Sequence, residues 1–388
     1  MDIRSYSRRE MCALGACCAA SCLITGAKTG LAADAEIELD SSYKFYCPDI
    51  VEIVEPGPLV RADGTARCGW SRRPLLDLNL EDARFMAIPH FQRYRLKKWD
   101  MYHVYTPEIV LNLLTAWIGY AAFCWVYVYD RTTQQSMENM HIRPPRPALK
   151  MMRNSNTGIT EYHSSKINAV YETDGERYKL RAESREFADV GLKTEIDLRH
   201  PPGHESICGV HMTEPKRMHY GRKINAMPAS GWVSVGDKKY DLEPETSFGA
   251  LDFGRGYYPP RLFWYWATAS GMQHGKLTGF NLGHGNNPNE VTENAVFYDG
   301  KLHKMGSLDV LCDKNNPMKP WHIKSRDGRL DISFSPEKAR CNKLNLGFLY
   351  TRGCPTFGYF SGTVILDSGE NLVIENIFGL FEWVDQKW

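Results

Sequence analysis

Apolar and polar positions alternate along most of this chain in short runs, each broken by Gly, Pro, Asn or Asp. Such runs lie at residues 178–183, 231–235, 262–269, 276–282, 295–298, 330–334, 344–350, 358–366 and 372–381. Alternation with a period of two over this length reads as half-buried strand. Turn pairs fall between several of the runs, and Asp299-Gly300, Asp327-Gly328 and Ser368-Gly369 fit hairpin connections. The pattern therefore predicts a mainly β, antiparallel fold. One apolar run, residues 109–129, stands apart because about 21 residues suffice to cross a bilayer as a helix. Asn112, Thr115 and a central Gly119-Tyr120 interrupt it, and its second half, AAFCWVYVY, is β-branched and aromatic. It reads as two buried strands turning near Gly119, so no stable membrane span is expected.

The start of the chain follows a different logic. Ser7-Arg8-Arg9-Glu10-Met11 precedes an Ala/Leu/Cys-rich stretch and small residues at Ala32, Ala33 and Ala35. Paired arginines, an apolar run and a small-residue site describe a twin-arginine-type signal peptide over residues 1–35. An exported protein is expected, periplasmic or extracellular. Leu14-Gly15-Ala16-Cys17 offers the alternative of a lipid anchor at the cell surface. Pro-rich 143–148 (RPPRPA) reads as an extended connector between a first β-region, 36–148, and a second, 149–388.

Composition narrows the function. A net charge of +1 with acids and bases interspersed lacks the basic face that nucleic acid requires, so no nucleic-acid partner is expected. The basic stretch 93–98 reads as a solvated strand face. Aromatics make up 12% of the chain, with ten tryptophans and twenty tyrosines, and suit half-buried sheets and ligand-cavity walls. Seven cysteines follow the leader: Cys47, Cys68, Cys124, Cys208, Cys312, Cys341 and Cys354. None forms a CxxC pair, so the expectation is one or two disulfides of unspecified pairing and at least one free thiol. His200, His204, His211 and His219 lack helical metal-ligand spacing and read as solvated loop residues. The glycines of GKLTGFNLGHG do not match a dinucleotide fingerprint and read as strand bends. Neither metal nor cofactor is expected.

Candidate chemistry concentrates in residues 248–305. On a strand through 261–269, Leu262, Trp264, Trp266 and Thr268 share one face, and Arg261, Phe263, Tyr265, Ala267 and Ala269 the other. Two indoles on one face supply a flat apolar wall. Asp252 and Arg255 precede them, flanked by Gly254 and Gly256. One reading is a structural ion pair at a strand corner. The other is a cavity-mouth acid, a carboxyl desolvated beside aromatics and so able to hold a proton.

DFGRGYYPPRLFWYWATASG, GFNLGHG, TENAVFYDGKLHKM and FGYFSGTVILDSGENLVIENIFGLFEWV, with the earlier WIGYAAFCWVYVYDRTT, resemble the signature of a bacterial family filed as domain of unknown function 2804. The resemblance covers roughly 45–388 as one coupled unit, and its pattern picks out Asp252, Arg255, Trp264, Trp266, Gly271, Asn281, Gly283, Glu293, Asn294, Gly300 and His303. More distantly the family is similar to paired lipocalin-like proteins that include carotenoid hydratases and tocopherol cyclases. That likeness implies two lipocalin-like (calycin-type) β-barrels or sandwiches side by side, with a hydrophobic pocket between or within them. It also implies protonation of an alkene and stabilisation of the cation by aromatic faces. Mapped here, Asp252 is the acid, with His303 and Tyr257 as second choices. Trp264 and Trp266 are the walls, Asn281 or Glu293 positions water, and Arg255 orients Asp252 or the ligand, with Asn294 beside them. The alternative for Asn281, Glu293 and Asn294 is turn and strand-end hydrogen bonding. The expected function is an exported protein with an apolar pocket for a hydrophobic small molecule. It acts as a cofactor-free hydratase, isomerase or cyclase of an isoprenoid, steroid or lipid-like substrate. A non-catalytic carrier is the alternative, and a glycan-binding or glycan-cleaving protein the third.

Overall fold

The computed structural model describes residues 51–86, 89–144, 148–285, 292–345, 347 and 350–387. The signal-peptide segment and Cys47 lie outside them. Two large sheets account for nearly all of it, and apart from a short parallel pairing of Gly57–Pro58 with Leu76–Asp77 the ladders are antiparallel. The alternation predicts this mainly β, antiparallel fold, and the family resemblance implies its pairing of two units.

In the first sheet Gln135–Arg143, Ala122–Asp130, Ile109–Trp117, Leu96–Tyr105, Phe248–Tyr257 and Arg217–Val235 lie side by side. The path continues through Leu192–Arg199, Arg177–Ser184, Ile167–Thr173 and Gly158–His163. The sheet curls until its ends meet: Asn139 donates to the Ser184 hydroxyl at 3.0 Å and Tyr162 to the His141 carbonyl at 2.9 Å. Inside the curl Tyr102, Leu111, Val126, Tyr171, Leu180 and Ile224 form one apolar core. The run 109–129 is indeed two buried strands, Ile109–Trp117 and Ala122–Asp130, with Gly119 between them at φ +92°. Among the described residues no helix is long and apolar enough to cross a membrane.

The second sheet is built from Arg261–Gln273, Lys276–His284, Ala295–Tyr298 and Lys301–Lys304 on one side. Asn371–Lys387, Thr356–Ile365, Leu330–Ala339, Trp321–Ser325 and Leu308–Leu311 continue it, with Asn342–Asn345 and Tyr350–Gly353 joined to Asn371–Lys387 off this path. Phe280, Trp321, Phe334, Phe360 and Phe381 fill its core. All three predicted turn pairs join consecutive strands of this sheet.

The division between the sheets falls at residues 258–260, not at the Pro-rich stretch 143–148, whose composition suggests a boundary. Strands on both sides of that stretch pair into the first sheet, because composition marks a loop but not which ladders close across it. The sheets join through a third apolar cluster in which Phe357 stacks on Tyr127 at 5.7 Å and Tyr129 at 6.0 Å. A bulge in Arg217–Val235, with Ala226 at φ +56°, adds a polar junction. There Asn225 donates to the Thr268 hydroxyl at 2.8 Å and the Ala226 N–H to the Ser270 hydroxyl at 2.9 Å.

Cys341 and Cys354 form a disulfide across a sequence separation of 13, and among the described residues Cys124, Cys208 and Cys312 are free thiols. Replacing both disulfide cysteines by Ser is expected to lower stability by about 3 kcal/mol, the loop-closure value at this length. Urea unfolding measures it, and an unchanged midpoint contradicts it.

Candidate functional site

A cleft of about 430 Å³ opens between the sheets, within the size range of small-molecule sites. One wall comes from the first sheet. Lys223 and Asp252 stand directly opposite each other on neighbouring strands, both nearly buried, and the Lys223 ammonium donates to Asp252 Oδ1. The Trp99 indole N–H donates to the same oxygen at 2.9 Å. Trp99 reaches it by lying across Gly254, where an added Cβ would sit 2.0 Å from the indole.

Glu293 crosses from the second half of the chain into this wall. It rests on Gly221, whose added Cβ would come within 2.0 Å of its carboxylate. Its Oε1 accepts from His219 Nε2 at 3.0 Å, and its Oε2 lies 3.7 Å from the Lys223 ammonium. Burial opposes its charge, but Lys223 and His219 outweigh that and hold the carboxyl down at about 2. Burial likewise works against the Lys223 ammonium, yet Asp252 and Glu293 raise its pKa. Both ring nitrogens of His219 are engaged, Nε2 by Glu293 and Nδ1 by the Tyr258 hydroxyl. Burial pushes the Tyr258 phenol well above its ordinary value, so it keeps its proton.

The facing wall comes from the second sheet. Leu262, Trp264 and Trp266 line the cleft on one face of Arg261–Gln273, while Ala267 and Ala269 point into the second core. Trp266 donates to Asn281 Oδ1 at 2.7 Å, and Asn281 in turn donates to the Glu293 carbonyl at 2.9 Å. Asn281 thus fixes both the indole and the segment carrying Glu293. Glu382 stands opposite Trp266 in register and accepts from the Trp264 indole N–H at 2.9 Å. Burial raises its carboxyl to about 7, with the charge of Asp252 adding to the effect.

Four sequence candidates lie elsewhere. Arg255 does not meet Asp252: three residues apart on a strand, they point to opposite faces. Arg255 is buried in the first core against Asp100 at 2.7 Å, with exposures of 1% and 0%. Tyr257, also in that core, donates to the Leu80 carbonyl at 3.0 Å. His303 accepts from the Asp367 N–H at 3.1 Å, away from the cleft. Asn294 is fully buried and ties the Gly283 N–H (2.6 Å) to the Gly306 carbonyl (3.0 Å), a strand-end role.

Two local readings are corrected as well. His211 and His219 are not solvated loop residues but buried strand residues on the cleft wall, and His204 is buried too. Nor is 93–98 a solvated face, since Lys97 is 1% exposed and donates to the Ile118 carbonyl at 2.5 Å. Lys223, His219, Tyr258, Trp99 and Glu382 escaped the sequence reading. The signal for the first two was the alternation of His219, Gly221 and Lys223 against the core positions Met218, Tyr220 and Ile224. Among the described residues no group of three or more His, Cys, Asp or Glu is placed to hold a metal ion.

A curled, paired-sheet protein with an indole-walled, carboxyl-bearing cleft is the class that this geometry defines. The chain belongs to the family described as domain of unknown function DUF2804, whose model matches residues 50–388. No curated protein matches it. Among solved structures, kievitone hydratase from Nectria haematococca is 13% identical, with a TM-score of 0.46 over 75% of this chain and 88% of that one. CghA with Sch210972 is 10% identical, with a TM-score of 0.49 over 75% of this chain and 88% of that one.

Proposed function

We propose that the cleft catalyses a cofactor-free, acid–base reaction on an uncharged, unsaturated apolar small molecule: hydration, isomerisation or cyclisation. The observation that carries this reading is the placement of Glu382 between Trp264 and Trp266, facing the ion-paired Lys223–Asp252–Glu293 wall. A general acid works best with a pKa near the working pH, and its carboxyl stands at about 7. Glu382, rather than Asp252, is therefore the proton donor. Its proton forms a C–H bond at one alkene carbon, and the electron-rich faces of Trp264 and Trp266 stabilise the positive charge left on the other. In hydration, water adds its oxygen to that carbon and gives up a proton to Asp252. In isomerisation, Asp252 removes a neighbouring C–H proton and the double bond re-forms. Solvent returns the proton to Glu382.

The leader and the Cys341–Cys354 disulfide support action outside the cytoplasm, where disulfides persist. The largely apolar lining also favours a carrier, and one experiment separates the two. Ligand extracted from the protein isolated from its own host is returned to the purified protein in ¹⁸O- and deuterium-labelled water. Mass spectrometry is expected to find one labelled oxygen or carbon-bound deuterium in the product. A ligand recovered without either label contradicts the enzymatic reading and leaves the carrier.

A further inference from the structure

We infer that His211 is the specificity-determining residue of this cleft and that it hydrogen-bonds a hydroxyl group on an otherwise apolar, uncharged substrate. The inference rests on the cleft being the substrate site proposed above. His211 lies on Ile207–Glu214 directly opposite His219, their rings 4.9 Å apart, and it lines the cleft at 5% exposure. Its neighbour on the wall is fully engaged, with Glu293 on one ring nitrogen of His219 and Tyr258 on the other. His211, by contrast, has no protein hydrogen-bond partner on either ring nitrogen among the described residues. A buried polar group without a partner is costly, and native structures retain one where a ligand supplies the bond.

Its surroundings state what that ligand must be. Burial, with His219 and Lys223 nearby, depresses the imidazole to about 3, although Glu293 opposes them. The ring is neutral at ordinary pH and offers one N–H and one lone pair. A hydroxyl, both donor and acceptor, satisfies whichever nitrogen faces it. Being neutral, the ring brings no charge to pair with an anionic group, so a hydroxyl suits it better than a carboxylate or phosphate.

The test uses two probes of nearly equal shape, 1-naphthol and 1-methylnaphthalene, with affinities read by equilibrium dialysis. Wild-type protein is expected to bind the naphthol about 3- to 10-fold more tightly, the value of one hydrogen bond. His211→Phe is expected to abolish that preference while retaining affinity for methylnaphthalene, which also reports that the variant is folded. Equal affinities in the wild type, or a preference that survives in H211F, overturns the inference and leaves the proposed reaction standing. Failure of the wild type to bind either probe overturns both. Should H211F not fold, ¹⁵N NMR of wild-type histidine rings decides: His211 must shift with naphthol and not with methylnaphthalene, and the absence of that difference refutes its role.

Discussion

Replacing Glu382 by Gln is expected to lower turnover by about 100- to 10,000-fold, the usual contribution of a positioned general acid. Glutamine keeps the size of the side chain and can still accept from the Trp264 indole, so ligand affinity should change little. The loss belongs in kcat. Stability separates this outcome from misfolding. The ordinary value for Glu382 is 4.5 and burial raises it to about 7 in the folded protein, so between these pH values the folded state binds more protons than the unfolded one. Its contribution is fully present below about 4.5 and is lost as pH rises through about 7. E382Q carries no such charge, and above neutrality it should be at least as stable as wild type. An inactive variant that is also less stable at alkaline pH would point to a structural role instead.

Asp100→Asn should cost about 3–5 kcal/mol, because it leaves the buried Arg255 guanidinium without a counter-charge. The pair is closed from water, and its hydrogen bonds are extensive. Arg255 donates to Asp100 at 2.7 Å, to the Trp99 carbonyl at 2.7 Å and to the Met152 carbonyl at 3.1 Å, while Thr160 of Gly158–His163 donates to Asp100 across the core. The double variant Asp100→Leu with Arg255→Met removes both charges and is expected to recover most of the loss, since an apolar pair of similar volume avoids the desolvation cost. Urea unfolding of both variants checks this. A D100N midpoint within experimental error of wild type contradicts it.

The strands were legible because alternation is local. Runs 295–298 and 372–381, the turn at Gly119 and the Trp264/Trp266 face all follow from a period of two read within ten residues. Carried through Gly254, the same rule separates Asp252 from Arg255, since an odd spacing on a strand separates faces; the two glycines instead suggest a corner that would bring them together. The parts that were not legible depend on long-range register. Glu382 meets Trp266 only because Arg261–Gln273 pairs with Asn371–Lys387, and nothing in FEWV announces that partner. Lys223 meets Asp252 across another such pairing. Glu293 stood in the family pattern, but its role in the wall depends on the bare surface of Gly221, visible only once the sheets are assembled. Histidines flanked by Pro and Gly read as loop until the strands Ile207–Glu214 and Arg217–Val235 claim two of them.

The most direct test of the account is the pH dependence of kcat/KM for the substrate carried by the protein, measured from about pH 5 to about pH 9, since this ratio reports the essential groups of the free enzyme. The account predicts a decline as pH rises, with a midpoint near 7 set by Glu382, and the loss of that decline in the residual activity of E382Q. A rate independent of pH across this range, or the same midpoint persisting in E382Q, would contradict it.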